Sequence, residues 1–155
     1  MKWFLVLAIM FLANAPLFAQ SFSDPVAYCK AVGTIDKPDS RYTGPKLPEW
    51  MAKDLNLKPD QDKFMEWRCA KGVVLACLYG ANIPCDSKAN TSRKPTEAIV
   101  DYCKQNSDST FVPMVVTGHE TTVSWACHGG IPLVLKSAKV DAQGYTKAYW
   151  RKVSP

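Results

Sequence analysis

Met65-Glu66-Trp67-Arg68-Cys69-Ala70-Lys71-Gly72-Val73-Val74-Leu75-Ala76-Cys77-Leu78-Tyr79 is the stretch on which the reading of this chain turns. Met65, Trp67 and Cys69 alternate with Glu66 and Arg68, the period of a strand with one face buried and one in water. Ala70-Lys71-Gly72 supplies the turn. Val73 to Tyr79 then returns as a strand apolar on both faces, which predicts a central place in its sheet.

Upstream of this hairpin the period is helical. Asp24-Pro25 combines an N-cap residue with proline at the first helical position, where a missing N–H costs nothing. Val26, Cys29 and Val32 follow at a spacing of three, and Gly33 offers the C-terminal stop. Residues 34–47 contain Pro38, Gly44 and Pro45 among polar side chains and read as a loop. Pro48 to Leu55 predicts a short second helix, with a polar stretch after it through Asp62.

Downstream, the polar stretch Asp86 to Lys94 leads to Pro95 at another helix start, with Ile99, Tyr102 and Cys103 on the buried face. Phe111 to Val153 reads as an antiparallel meander of four strands, separated by Gly118-His119-Glu120, His128-Gly129-Gly130 and Asp141-Ala142-Gln143-Gly144. Pro113 predicts that the first of these lies at an edge. In the second, Val123, Trp125 and Cys127 face inward, alternating with Thr122, Ser124 and Ala126.

Two pieces of the chain recur in the same order. Val26-Ala27-Tyr28-Cys29-Lys30 matches Val100-Asp101-Tyr102-Cys103-Lys104, and Trp67-x-Cys69-x-x-Gly72 matches Trp125-x-Cys127-x-x-Gly130. The expected architecture is therefore α+β: two cysteine-bearing helices packed on an antiparallel β-hairpin and meander sheet. Its two diverged helix–hairpin units span about 24–80 and 95–153 of a single domain, residues 20–155.

Residues 1–19 read as an export signal. Lys2 is the positive n-region, Trp3 to Ala13 is an apolar run, and Leu17-Phe18-Ala19 precedes a cut after Ala19. A cut after Ala15 would place Pro16 next to the scissile bond, which argues for the later site. The apolar run is shorter than the roughly 20 residues a membrane span needs, so no stable membrane anchor is expected. Neither a twin arginine nor a cysteine at the cut points to another export or lipid-attachment route.

All six cysteines follow the signal, which in an oxidising compartment predicts three disulfides. Cys69 sits beside the hairpin turn and Cys77 about four residues up the partner strand, roughly 13 Å away at 3.3 Å per residue. A bridge rarely joins Cα atoms more than about 7 Å apart, which disfavours that pair. Six cysteines allow 15 pairings, among which sequence alone does not choose; the duplication suggests one set, each helix cysteine with the strand cysteine of its own unit, Cys29 with Cys69 and Cys103 with Cys127, and the remaining Cys77 with Cys85. The expected location is periplasmic or secreted.

Chemistry is harder to find. Ser124-Trp125-Ala126-Cys127-His128 lacks the first thiol of a haem-attachment site. His119 and His128, nine apart on different turns, do not make a zinc pattern. No cofactor or metal is expected, and no catalytic residue is identified. The two histidines remain the only candidates for an exported hydrolase of unrecognised type, against the commoner case of solvated turn residues. Trp67, Trp125, Tyr149 and Trp150 read more readily as core than as a groove for sugars or peptides. One glycosylation sequon, Asn90-Thr91-Ser92, is present. Without Lys2, 18 basic side chains stand against 14 acidic ones, a charge of +4. The lysines are scattered, which argues against a nucleic-acid partner.

Arg41-Tyr42-Thr43-Gly44-Pro45, Trp67-x-Cys69, Ala81-Asn82-Ile83-Pro84-Cys85 and Thr117-Gly118-His119 together resemble small exported six-cysteine bacterial proteins of unassigned function. That resemblance covers most of the mature chain and implies an envelope or secreted location. Trp125-x-Cys127-x-x-Gly130 with its following apolar strand resembles periplasmic inhibitors of c-type lysozyme over about a quarter of the chain. Their Ser-Gly-x-x-Tyr segment is absent, Gln143-Gly144-Tyr145 does not replace it, and no inhibitory residue carries over. The functional expectation is an exported noncatalytic binding or inhibitor module of unknown ligand, its partner an envelope or extracellular protein or glycan.

Overall fold

The computed structural model describes residues 20–155; the expected export signal, residues 1–19, lies outside them. The architecture is α+β with antiparallel sheets. Helix α1 spans Pro25–Val32, capped by the Asp24 carboxylate, which accepts from the Ala27 N–H at 2.9 Å. Helix α2 spans Glu49–Leu55, and a 3-10 segment, Pro59–Phe64, leads into β1 (Met65–Ala70) and β2 (Val73–Leu78). Helix α3 spans Glu97–Gln105, with the Thr96 hydroxyl as its N-terminal cap. It is followed by the short helix α4 (Met114–Thr117), the hairpin β3 (Val123–His128) and β4 (Ile131–Ser137), and the two-residue β5 (Arg151–Lys152).

The sheets are small. One has the order β1-β2-β5, so β2 is central, as its two apolar faces predict; the other contains β3 and β4 alone. All three expected disulfides are formed: Cys29–Cys69, Cys77–Cys85 and Cys103–Cys127. Two hydrophobic clusters result. The first gathers Tyr28, Met51, Met65, Trp67 and Val74, and the second Ile99, Val112, Val123 and Trp125. On α1 the fully buried side chains include Tyr28 and Cys29, whereas Val26 and Val32 are half-buried at the margin.

The two helix–hairpin units are built alike. In each, a helix cysteine bonds the cysteine of the following hairpin's first strand. The chain leaving each helix then runs along that strand's free edge. Cys69 N–H donates to the Ile35 carbonyl at 3.1 Å, and Cys127 N–H to the Ser109 carbonyl at 2.8 Å. Gly72 N–H donates to Gly33 and Gly130 N–H to Ser107, closing both turns against the chain that follows the helix. Lys71-Gly72 and Gly129-Gly130 are the two-residue loops, all four residues at positive φ, the backbone that matches the right-handed twist of paired strands.

The expected four-strand meander is corrected by the structure. Only β3 and β4 of this region pair with each other. Pro113, instead of marking an edge strand, is the N-cap of α4, its fixed φ of −64° suiting a helix start. After Ser137 the chain makes a single bridge, Val140 with Thr146, and a 3-10 turn at Lys147–Tyr149. It then returns to the first sheet as β5, and Val153 is buried in the first cluster.

Candidate functional site

β4 is the place where the parallel construction of the two units breaks. In the first unit the outer edge of β2 is covered: Leu75 and Ala76 pair with Lys152 and Arg151, and Val153 N–H donates to the Val74 carbonyl at 3.1 Å. In the second unit, the Trp125 carbonyl accepts from Val112 N–H, so Trp125 and Cys127 aim their backbone groups away from β4. Their partners Val134 and Pro132 therefore aim theirs outward too, as antiparallel pairing requires. Among the described residues, no backbone hydrogen bond meets that edge.

The outer face of the same strand is apolar. Ile131, Leu133 and Leu135 are 65%, 46% and 57% exposed, while Val134 between them packs on the second cluster. Phe111, beside the other edge of β3, is exposed as well. Ile131, Leu133 and Leu135, two apart on one strand face, form an exposed apolar row, and exposed apolar patches mark interaction sites. At its C-terminal end Arg93 donates to the Ser137 hydroxyl at 3.3 Å, and Lys136 and Lys139 follow. Among the described residues, none of these three cations is in an ion pair.

The histidines are not brought together. They stand at opposite ends of β3, whose six residues span roughly 20 Å at 3.3 Å each. His128 is exposed and 3.6 Å from Asp108, whose carboxylate is occupied by Gly129 N–H at 3.2 Å. That bond, then Ser107 and His128, lowers the Asp108 pKa. His119 lines an open cleft of about 360 Å³ with Glu120, Asp86 and Tyr79. No hydrogen bond to its ring is present among the described residues. Burial, with Glu66 and Asp86 adding, pushes the Tyr79 phenol up to about 12.

Trp67 and Trp125 are core residues, 2% and 3% exposed, as expected. Trp150 and Tyr149 are only half-buried. Asn90 of the sequon is exposed, with its backbone bonded to Glu120 and Thr122. No cluster of three or more His, Cys, Asp or Glu side chains able to hold a metal occurs among the described residues, and none of the cysteines there is free.

The largest departure from the sequence reading is Arg68. Alternation places it in water with Glu66, yet it is fully buried. It donates to the Asp141 carboxylate and the Gln143 side-chain oxygen, and its guanidinium lies 4.6 Å from the Tyr145 ring and 4.4 Å from that of Trp150. Gln143 in turn donates to Asp36 at 2.8 Å, and Asp36 pairs with Lys88. The Lys88 bond is the main cause of the lowered Asp36 pKa. Arg68 thus docks the whole C-terminal segment onto the first hairpin. Its partners lie 73 and 75 residues away, so no local signal could have revealed them.

Comparison with protein-family models, with curated proteins and with solved structures finds no match.

Proposed function

We propose that this is an exported, noncatalytic binding or inhibitor module of the periplasm or extracellular space that captures an extended segment of another protein along β4. The reading is supported by one observation above the rest: the outer edge of β4 is open where the corresponding edge of β2 carries β5. Added strands gain affinity from main-chain hydrogen bonds and specificity from alternate side chains. Pro132 removes one donor from this edge, but on β2 it is the Val74 carbonyl that receives Val153, and Pro132 keeps its own carbonyl for the same use. The bound segment presents apolar residues to Ile131, Leu133 and Leu135 and carboxylates to Arg93, Lys136 and Lys139. A membrane surface would meet the same side chains, yet it would leave the Val134 N–H and carbonyl without partners.

Random-peptide display against the oxidised mature protein tests this. Selection of extended peptides that alternate apolar and acidic residues is expected, with capture falling about tenfold or more, or about 1.4 kcal/mol, in Leu133→Lys and in Lys136→Glu. Undiminished capture by either variant counts against it. So does binding to phosphatidylglycerol vesicles that Leu133→Lys abolishes.

A second reading, an exported hydrolase acting through His119, rests on the carboxylates of Glu120 and Asp86 in the same cleft. On that reading His119→Ala abolishes turnover of whichever ester or glycoside substrate the protein cleaves. On the preferred one it changes nothing.

A further inference from the structure

Beneath the C-terminal segment, on the opposite side of the Arg68 junction from the first cluster, lies a second feature that the binding edge does not use. A cavity of about 500 Å³ opens between the first hairpin and residues 140–150. Its size falls within the range of small-molecule sites, roughly 300–1,000 Å³. Val73 and Leu75 supply apolar walls, and Trp150 contributes the part of its indole that Arg68 and Tyr145 leave uncovered. The ring is already held, with the guanidinium at 4.4 Å and the Tyr145 centroid at 5.2 Å, so a ligand stacking on it orders little that is not ordered beforehand.

The polar groups of this cavity divide into two kinds. Asp141 and Gln143 are spent: the Asp141 carboxylate accepts from Arg68 and from the Gln143 and Tyr145 N–H groups, and the Gln143 amide serves Arg68 and Asp36. Lys71 and Lys147 are different, because neither ammonium is in an ion pair among the described residues. What the cavity still offers is a flat aromatic surface, aliphatic walls and two positive charges.

We propose that this cavity binds a small organic acid with a flat apolar body, its ring or hydrocarbon plane against Trp150 and its carboxylate, sulfonate or phosphate between Lys71 and Lys147. The negative charge is required, since the two lysines lining the cavity have no carboxylate partner among the described residues and an anion supplies one. The apolar plane is required as well, since an inorganic anion leaves the indole and the Val73 and Leu75 walls in water.

The test uses 1-anilinonaphthalene-8-sulfonate as the probe, with the uncharged N-phenyl-1-naphthylamine as its control, on the oxidised mature protein. Saturable fluorescence enhancement by the sulfonate is expected, weakened about tenfold or more in the double variant Lys71→Gln/Lys147→Gln, or about 1.4 kcal/mol. The neutral amine binds more weakly and does not respond to that variant. Leu133→Ser, on the exposed face of β4, leaves sulfonate binding unchanged, which separates this site from the proposed binding edge. Absence of saturable binding overturns the proposal. Equal affinity in the glutamine variant, equal affinity for the neutral amine, or loss of binding in Leu133→Ser each does the same.

Discussion

Two tyrosines record, at the scale of single residues, how far the first hairpin is shielded from water. Burial holds the Tyr42 phenol up to about 12, with the Asp24 charge adding to it, against an ordinary value of 10.0. Its hydroxyl donates to the Pro45 carbonyl at 2.8 Å, and its ring meets Trp67 edge-on at 4.9 Å. Tyr79 is pushed up to about 12 chiefly by burial as well. A folded pKa above the unfolded one means that the folded state holds the proton more tightly. The stability this represents is complete below about pH 10 and is lost as pH rises from about 10 to about 12. A phenolate absorbance titration of Tyr42→Phe is expected to lose a step near pH 12. Loss of a step near pH 10 instead contradicts the burial. Asp39 shows the opposite displacement: its Arg41 partner, donating to both carboxylate oxygens, lowers it to about 2.

Each disulfide, at the scale of elements, ties a different length of chain. Cys29–Cys69 closes a separation of 40 residues and joins α1 to β1; Cys77–Cys85 closes only 8 and ties the end of β2 to the loop after it. On the chain-entropy account, these loops correspond to about 4 and about 2.5 kcal/mol of stabilisation. All four cysteines are buried, so the cavity left by removing sulfur is similar in the two cases. Cys29→Ala/Cys69→Ala is therefore expected to lower the denaturation midpoint more than Cys77→Ala/Cys85→Ala. The reverse order would show that native packing, and not loop length, dominates. The helices and the first hairpin are legible in the sequence because capping residues and alternation act within a few positions. Phe111 to Thr117 misleads for a similar reason: a proline within an apolar run is compatible with a strand edge or a helix start, and only the fold around α4 decides between them.

For the whole molecule, the decisive contact is the one that closes the C-terminal segment over the first hairpin. Arg68 has no exposure, and Asp141 is its only carboxylate partner among the described residues. Removing one member of a buried pair leaves the other charged and unpaired, at a cost of about 3 kcal/mol. Asp141→Ala should lower stability by that amount, and hydrogen exchange should quicken first in β2 and β5, which the segment covers. The β3–β4 hairpin, held to α3 by Cys103–Cys127, should keep its protection. Equal loss of protection in both sheets would mean that the two clusters unfold as one.

The α+β class, the two cysteine-bearing helices and the first hairpin with its central second strand are legible in the chain, and its duplication points to the cysteine pairing that the fold then forms. Each is written either in the local period of the chain or in the recurrence of one short pattern. Tertiary structure alone decided that Arg68 is buried, that the last strand crosses to the first sheet, and that the edge of β4 is left open. Those outcomes depend on which distant segments compete for the same edge or charge. Alternation along one strand reports the side a residue faces, and carries no information about what will later cover it.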